Sequence, residues 1–472
     1  MQNQTAMRFG AATDTSPGRI EYDQIEKVSF AALYVFALLL YLRPQEMFPS
    51  VFGEFPIVKL VALFALAAFI VGRIRRGERI TVWPVELKML AVMIALSMAL
   101  VPLAAAPGDS YQVLSDPFLK VVTIFVLMIN LIVSRRRLTS ILNVIVVVGS
   151  IMALAAVRSY LAGEFTPKST RIAGMVNGLF GNPNDLATSL DLLIPFALAL
   201  ALINRGGKRL FYLLCGTALT AGVVVTFSRG GFLGLLAMAA FCAWKLGRFR
   251  KGATALVLAA TIAIFMVAVP ASYGGRLGSI FNLDQDATGS AQARLDLLVR
   301  ASEVAASHPI IGVGLGNFHI YSIGEQKAHN SYLEIAAELG IAGLIAYLII
   351  LFSPFRYLRR IERGSAGDRS RSETAGTAVA HQTRVPGKSH QQAGELFYLS
   401  VMIQAALIGF AVCSFFGSIE YFWDLYLIVA YAISLKRINE RESCGDRTNE
   451  PAAAKKGGVL WSGRPALQGE LT

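Results

Sequence analysis

Blocks of apolar residues, each about as long as a bilayer is thick, constrain the fold of this 472-residue chain more than any other feature. A transmembrane helix needs about 20 residues, and about twelve blocks approach that length. They lie near 28–43, 57–72, 85–106, 117–134, 138–162, 185–204, 209–227, 230–246, 253–271, 330–352, 396–416 and 419–435. Only 16% of the residues are charged, against about 25% in soluble domains. We therefore predict an all-α polytopic membrane protein with about twelve transmembrane helices.

Basic residues follow every even-numbered block and are sparse after most odd-numbered blocks, as at 73–79, 135–137 and 205–209. The positive-inside rule then predicts that both termini and these clusters face the cytoplasm. The net charge of +13 is explained by this topology and by contact with anionic membrane lipids, which we favour over nucleic-acid binding. We expect a multi-pass protein of the bacterial inner membrane whose first span is an uncleaved anchor.

Polar stretches divide the chain into segments. We predict a cytoplasmic N-terminal segment (1–27), nine spans (28–271), a long outer loop (272–329), three further spans (330–435) and a cytoplasmic tail (436–472). The composition of 361–394, rich in Gly, Ser, Arg, Thr and Gln, predicts a disordered cytoplasmic segment, as does that of 440–472. Three of the four cysteines lie within spans, so the sequence indicates no disulfide framework, metal site or cofactor.

The long loop dominates the outer face, which is the periplasm in a Gram-negative cell. Loops of this length tend to be functional or disordered. We predict an amphipathic helix from Ala291 to about Ser307 that lies on the membrane surface, with one stripe formed by Leu295, Leu298, Val299 and Ser302. The glycines at 312, 314 and 316 predict a flexible turn after it.

His329 stands at the end of this loop, at the mouth of the tenth block. Histidine titrates near neutral pH and suits proton transfer, although an interfacial histidine without a catalytic role is the alternative. Asn330 is a predicted N-cap of the following helix. Glu334 and Glu338 lie one turn apart on that helix, where either one fixes the tautomer of the histidine, balances the charge of an arginine or pairs with a neighbouring span.

Two arginines share this outer face. Arg229 lies at a span boundary, between Ser228 and two glycines that allow close approach of backbone or ligand. Its guanidinium is suited to phosphate oxygens, but snorkelling to lipid headgroups is the alternative. Arg294, on the predicted surface helix, either binds a similar anion or belongs to a solvated face.

Asn182 and Asn184, in the outward turn GNPNDLA at 181–187, cap the sixth span or contact a polar ligand. Several catalytic motifs are absent from the sequence: a Walker-type phosphate loop, a GxSxG elbow, HExxH, and paired Cys or His at metal-ligand spacing. Because ATP is not available outside the membrane, a reaction there needs a donor that arrives activated.

The ordered set GNPNDLA (181–187), FSRGGFLGLL (227–236), ARLDLLVRASEVAASHPIIGVGLGNF (293–318) and HNSYLEIAAELGIAGL (329–344) resembles the O-antigen ligase family, including the O-antigen polymerases. The resemblance implies a GT-C-like fold and metal-independent transfer of a glycan from undecaprenyl pyrophosphate. The acceptor would be a hydroxyl of lipid A-core, of another glycan or of a protein. It also implies site roles: Arg229 and Arg294 would hold the pyrophosphate, and His329 would act as general base. Asn182, Asn184, Asn330 and Glu338 are candidates for orienting groups.

Two alternatives remain at this stage. A polymerase that joins repeat units shares the donor and the fold and differs in its acceptor. A polysaccharide flippase or secondary transporter belongs to another class, in which polar groups lie near the bilayer midplane, often in inverted repeats. The sequence shows no clear repeat, and its candidate polar groups gather at one membrane face, which favours surface chemistry.

Overall fold

The predicted all-helical architecture is confirmed over the part of the chain that the structure, a computed structural model, describes. That part comprises residues 17–42, 56–165, 181–247, 290–378 and 388–448, with positions 44, 50, 172 and 174, and it contains no strand. The α-helices are α1 (Pro17–Leu42), α2 (Ile57–Arg75), α3 (Val85–Leu100), α4 (Pro107–Val113), α5 (Leu119–Leu131), α6 (Arg135–Leu161), α7 (Pro183–Ile203), α8 (Gly206–Val225), α9 (Arg229–Leu246), α10 (Ser290–Ser307), α11 (Phe318–Tyr321), α12 (Ser331–Phe352), α13 (Pro354–Ala378), α14 (Lys388–Cys413) and α15 (Trp423–Thr448).

Within those ranges, ten helical segments are long and apolar enough to cross a membrane. They correspond to ten of the twelve blocks. The block at 253–271 lies outside the described residues, as do 272–289 of the long loop. The block at 419–435 contributes to α15, which is charged beyond Leu435 and is not among the ten. Most of α7 and α14 is buried, so these two helices form the centre of the bundle.

The segment 361–394, predicted as disordered, is helical at both ends. Helix α13 continues to Ala378, and α14 begins at Lys388. The start of this segment is tied to the bundle: Ile361 is buried, and Glu362 forms an ion pair with Lys245 of α9 at 2.7 Å. The predicted disorder of the C-terminal region is likewise wrong for its first residues, because α15 reaches Thr448. The rest of that tail lies outside the described residues.

Helix α12 is broken within its apolar stretch. Gly340 has φ +65° and ψ −168°, which interrupts the helical hydrogen bonding. The backbone of the long loop fills the gap: the Val313 N–H donates to the Ala337 carbonyl and the Gly314 N–H to the Glu338 carbonyl, both at 2.9 Å. Non-helical backbone at membrane depth is tolerated where protein buries it, and here the loop satisfies the carbonyls that the break exposes.

The expected flexible turn at Gly312, Gly314 and Gly316 is instead closely packed. All three glycines have positive φ, at +64°, +100° and +70°. A Cβ on Gly312 would lie 2.4 Å from the Glu338 carbonyl oxygen, and one on Gly314 would lie 2.6 Å from the Ala104 Cβ. These glycines are required for close approach to the bundle, so the loop is held in place at this point.

Asn317 fastens the same loop to the segment before α4. Its Oδ1 accepts from the Ala106 N–H at 2.7 Å, and its Nδ2 donates to the Ser110 Oγ at 2.8 Å and to the Ala106 and Leu315 carbonyls at 3.2 Å. The side chain is fully buried. A buried amide with this many partners fixes the position of the loop.

The predicted amphipathic helix is present as α10, but its buried face differs from the predicted stripe. Leu297, Ala301 and Val304 are buried, and the last two pack with residues of the loop and of α12. Leu295 and Val299 of the predicted stripe are 43% and 53% exposed. The helix therefore has one apolar face on the protein and a second apolar stripe that faces outward.

Candidate functional site

The first turns of α7 and α9 are joined by their capping residues. The Asn182 side chain accepts from the backbone N–H groups of Asn184 and Asp185, at 2.9 and 3.0 Å, which makes it the N-cap of α7. Ser228 caps α9 by accepting from the Gly231 N–H, and its hydroxyl donates to the Asn184 Oδ1 at 3.0 Å. Two helix N-termini, which carry partial positive charge, thus lie side by side.

Arg229 is the first residue of α9, and its side chain is partly exposed. The glycines after it serve backbone packing. A Cβ on Gly230 would lie 2.9 Å from the Phe416 Cβ, and one on Gly231 would lie 2.7 Å from the Ala187 Cβ. The close approach expected of these glycines is made by a neighbouring turn and a neighbouring helix, and Arg229 stands at the N-terminus of α9.

The N-cap predicted at Asn330 is confirmed. Its Oδ1 accepts from the N–H groups of Tyr332 and Leu333, each at 3.0 Å, and its Nδ2 donates to the Phe415 carbonyl at 3.3 Å. His329, directly before it, has φ +51°, a left-handed conformation that is uncommon for a residue with a side chain. Its N–H donates to the Ser418 Oγ at 3.0 Å, which supports that conformation.

The turn between α14 and α15, residues 414–422, connects the two halves of the site. On one side Phe416 packs against Gly230, the neighbour of Arg229. On the other side the turn contacts His329 through Ser418. It is also fixed to Ser331 of α12, whose hydroxyl donates to the Gly417 carbonyl at 2.8 Å and accepts from the Ile419 N–H at 2.9 Å. Arg229 and His329 therefore flank the same turn.

Positive charge surrounds His329. Burial lowers the pKa of the His329 imidazole, and the charges of Arg294 and Lys327 lower it further. The imidazole is accordingly neutral at neutral pH and free to accept a proton. Burial acts to lower the pKa of Lys327. The opposite effect of the nearby carboxylates of Glu420 and Glu334 is larger, so the pKa is raised. Lys327 thus carries a stable positive charge beside a neutral histidine.

The two glutamates of α12 have different partners. Glu334 accepts from the Ala328 N–H at 3.1 Å and from the Ser418 hydroxyl, which itself accepts from the His329 N–H. Glu334 therefore acts on the backbone of His329 through Ser418. Glu338 accepts from the Tyr421 hydroxyl at 2.9 Å and from the Phe318 N–H at 3.4 Å, so it holds the loop and the turn against α12.

The structure groups the candidates predicted from sequence at one end of the bundle. Asn182, Asn184 and Arg229 belong to the α7 and α9 side, and His329 and Asn330 to the α12 side. Arg294, on α10, is near enough to His329 to influence its charge. Glu338 lies in the buried support of the site.

Two residues were missed. Lys327 is only two positions from His329, so its proximity was available in the sequence. Ser418 is 89 positions from His329, and no sequence pattern connects them.

Known proteins are similar in sequence to the part of the chain that forms this site. A sequence model of the O-antigen ligase family matches residues 212–348, which include Arg229, Arg294 and His329. The chain is also 26% identical over 214 residues to an O-antigen polymerase of Salmonella muenchen, covering 44% of this chain and 53% of that protein. The chain thus spans about half the length of this curated relative. With its polytopic helical fold and its ordered set of motifs, the chain is similar to the O-antigen ligase and polymerase family over this region.

Proposed function

We propose that this protein transfers a glycan from undecaprenyl pyrophosphate to an acceptor hydroxyl at the membrane face that carries His329. On the basis of the positive-inside pattern, we propose that this face is periplasmic and that both termini lie on the cytoplasmic side of a bacterial inner membrane. The observation that supports the proposal most strongly is that His329 lies near enough to two cationic side chains, Arg294 and Lys327, for their charges to lower its pKa. This combination suits a reaction in which a proton is removed while an anion departs.

In the proposed reaction His329 removes the proton of the acceptor hydroxyl. The acceptor oxygen attacks the anomeric carbon of the donor, and the bond from that carbon to the pyrophosphate oxygen breaks with inversion. The bonding electrons leave with undecaprenyl pyrophosphate, whose negative charge increases. Arg229 and Arg294 stabilise that charge, so the proposed mechanism takes its positive charge from side chains and requires no metal ion.

Two reactions fit this proposal, and they differ in the acceptor. The family match at residues 212–348 carries the description of a ligase, whereas the relative from Salmonella muenchen is a polymerase. A ligase would use lipid A-core or a protein hydroxyl, and a polymerase would use the end of a second lipid-linked glycan. Both reactions use the same base and the same leaving group, so the polymerase is an equal candidate.

The test is transfer by purified protein in proteoliposomes, given one lipid-linked glycan and, separately, lipid A-core, a second lipid-linked glycan or a protein acceptor. We expect His329→Ala to reduce the rate by about 10²–10⁴-fold, the usual contribution of a general base. His308→Ala is the matched control, because His308 lies in the same loop at the end of α10 and is bonded locally to Ser307 at 3.2 Å. Wild-type transfer by the His329→Ala protein would refute the general base. Movement of the donor across the membrane without transfer would favour a flippase or transporter.

A further inference from the structure

A second polar site lies at the other end of the helix bundle. An open cavity of about 600 Å³ is bounded by the start of α6, the end of α7 and the start of α8. The 21 residues of α7 separate it from Asn182 by about 30 Å, at 1.5 Å of rise per residue. The cavity is therefore independent of the site at His329 and of the proposed transfer reaction.

Two arginines and one glutamate, Glu395, line the cavity. Arg135 lines it and is neutralised by Glu395 at 3.2 Å and Glu442 at 2.8 Å. Arg136 also lines it and is exposed, and none of the acidic side chains in the described ranges lies within ion-pair distance of its guanidinium. Both arginines stand in the first turn of α6, where the helix N-terminus adds partial positive charge. Cations are unfavourable at this end of a helix, and an anionic ligand would offset that cost.

Hydrogen-bond donors face the same space. The Tyr212 hydroxyl donates to the Asn143 Oδ1 at 2.9 Å, which orients the amide and leaves its NH₂ group for a ligand. Asn204 also lines the cavity and is fixed by its own bond to the Leu200 carbonyl at 2.8 Å. An anion with several oxygens can thus be bound by Arg136 and Asn143 together.

Cations lie beside the cavity, and apolar side chains form part of its lining. Arg205, Lys208 and Arg209, in and after the turn from α7 to α8, are all exposed. Leu200 and Ile203, at the end of the membrane-spanning helix α7, line the cavity. A cavity with basic residues beside it at the end of membrane-spanning helices suits a ligand with an anionic head and a hydrocarbon chain.

We propose that this cavity binds the phosphodiester headgroup of an anionic phospholipid, with Arg136 and Asn143 on the phosphate oxygens and the acyl chain beside Ile203, directed toward the hydrocarbon region. Basic pockets between transmembrane helices are a known physical means of holding such headgroups. A water-soluble phosphate ester shares the headgroup chemistry but has no hydrocarbon chain to place against the apolar lining.

The experiment is native mass spectrometry of the full-length protein in detergent, titrated with phosphatidylglycerol, with zwitterionic phosphatidylcholine and with soluble glycerol phosphate. We expect saturable binding of phosphatidylglycerol, weaker binding of phosphatidylcholine and no competition by glycerol phosphate. Arg136→Gln should weaken phosphatidylglycerol binding about fivefold, the change that corresponds to about 1 kcal/mol per arginine near an anionic surface. Asn143→Leu, which removes the amide donor and narrows the cavity, should weaken it as well.

Arg79→Gln is the matched control. Arg79 is exposed in the basic cluster after α2, does not line the cavity and loses the same charge. Equal weakening by Arg136→Gln and Arg79→Gln would show a general surface-charge effect and overturn the proposal. Competition by glycerol phosphate as strong as that of the lipid would overturn it in favour of a soluble phosphate ligand. Unchanged binding in both cavity variants would overturn the assignment of the site.

Discussion

Replacing Gly340 by alanine is expected to detach the long loop from α12. Gly340 breaks the helix, and the loop backbone fills the break through three hydrogen bonds. Two come from the N–H groups of Val313 and Gly314, and in the third the Ile341 N–H donates to the Pro309 carbonyl at 2.8 Å. These bonds hold the segment that leads to His329, so the glycine conformation and the position of the site depend on each other.

The magnitude follows from the local geometry. A residue other than glycine at φ +65° and ψ −168° costs about 1–3 kcal/mol. The new Cβ would also lie 2.4 Å from the Ile310 carbonyl oxygen, so helix and loop must separate. The three hydrogen bonds contribute about 1 kcal/mol each. The free energy of opening the loop should therefore fall by roughly 4–6 kcal/mol, and the open population should rise by about 10³-fold or more.

Limited trypsin digestion measures this opening. Cleavage after Arg300 is informative, because the Arg300 guanidinium donates to the Tyr321 carbonyl at 2.7 Å in the closed loop. When reclosing is fast, the cleavage rate follows the open population, so cleavage should accelerate by the same factor until it saturates. Gly364→Ala is the control: Gly364 is exposed in α13, and a Cβ there meets no atom within 4 Å. Equal cleavage rates for Gly340→Ala, Gly364→Ala and wild type would refute the reasoning.

Three further predictions concern the site and its supports. Because the pKa of His329 is lowered from its ordinary value of 6.5, the acid limb of the pH profile of kcat/KM should lie below pH 6.5. Lys327→Gln removes a positive charge and should move that limb to higher pH. A limb that stays in place or moves to lower pH would contradict the assignment of His329 as the general base. Asn317→Ala leaves the Ala106 N–H without its partner and should lower the free energy of unfolding by about 2–4 kcal/mol in denaturant titration. A decrease below about 0.5 kcal/mol would show that the hydrogen bonds of Asn317 contribute little to stability. Asn330→Ala should cost about 0.5–2 kcal/mol in the same assay and Asn330→Ser much less, since serine also caps helices; equal losses would exclude capping as the cause.

The sequence predicts the helices well because apolar length is a local property. The blocks at 57–72 and 138–162 correspond closely to α2 and α6. The cap at Asn330 is equally local, since it depends on one side chain and the next two N–H groups. In contrast, the buried face of α10 depends on what packs against it. Ala301 and Val304 are buried and Leu295 is 43% exposed because the loop and α12 cover one side of this helix.

The break in α12 and the support of His329 could not be predicted in the same way. Glycine is tolerated in membrane helices, so the sequence around Gly340 reads as a continuous span. The break becomes evident only when the loop backbone docks into it. Ser418 contacts the backbone of His329 from another helix connection, and a single sequence does not contain that pairing. The roles of Arg229, Arg294 and His329 stay predictions until the transfer assay is done.

The turn at 414–422 also sets the order in which the site can form during synthesis. The His329 N–H, the Asn330 side chain and the Ser331 N–H all bond to residues 414–418. The ribosome makes those partners about 85 residues after His329, once α14 has been translated and inserted. A nascent chain that carries Arg229, Arg294 and His329 but ends before Ser414 therefore has every proposed reactive group and no assembled site. Reactivity toward lipid-linked glycans would then begin only when nearly the whole bundle has been inserted.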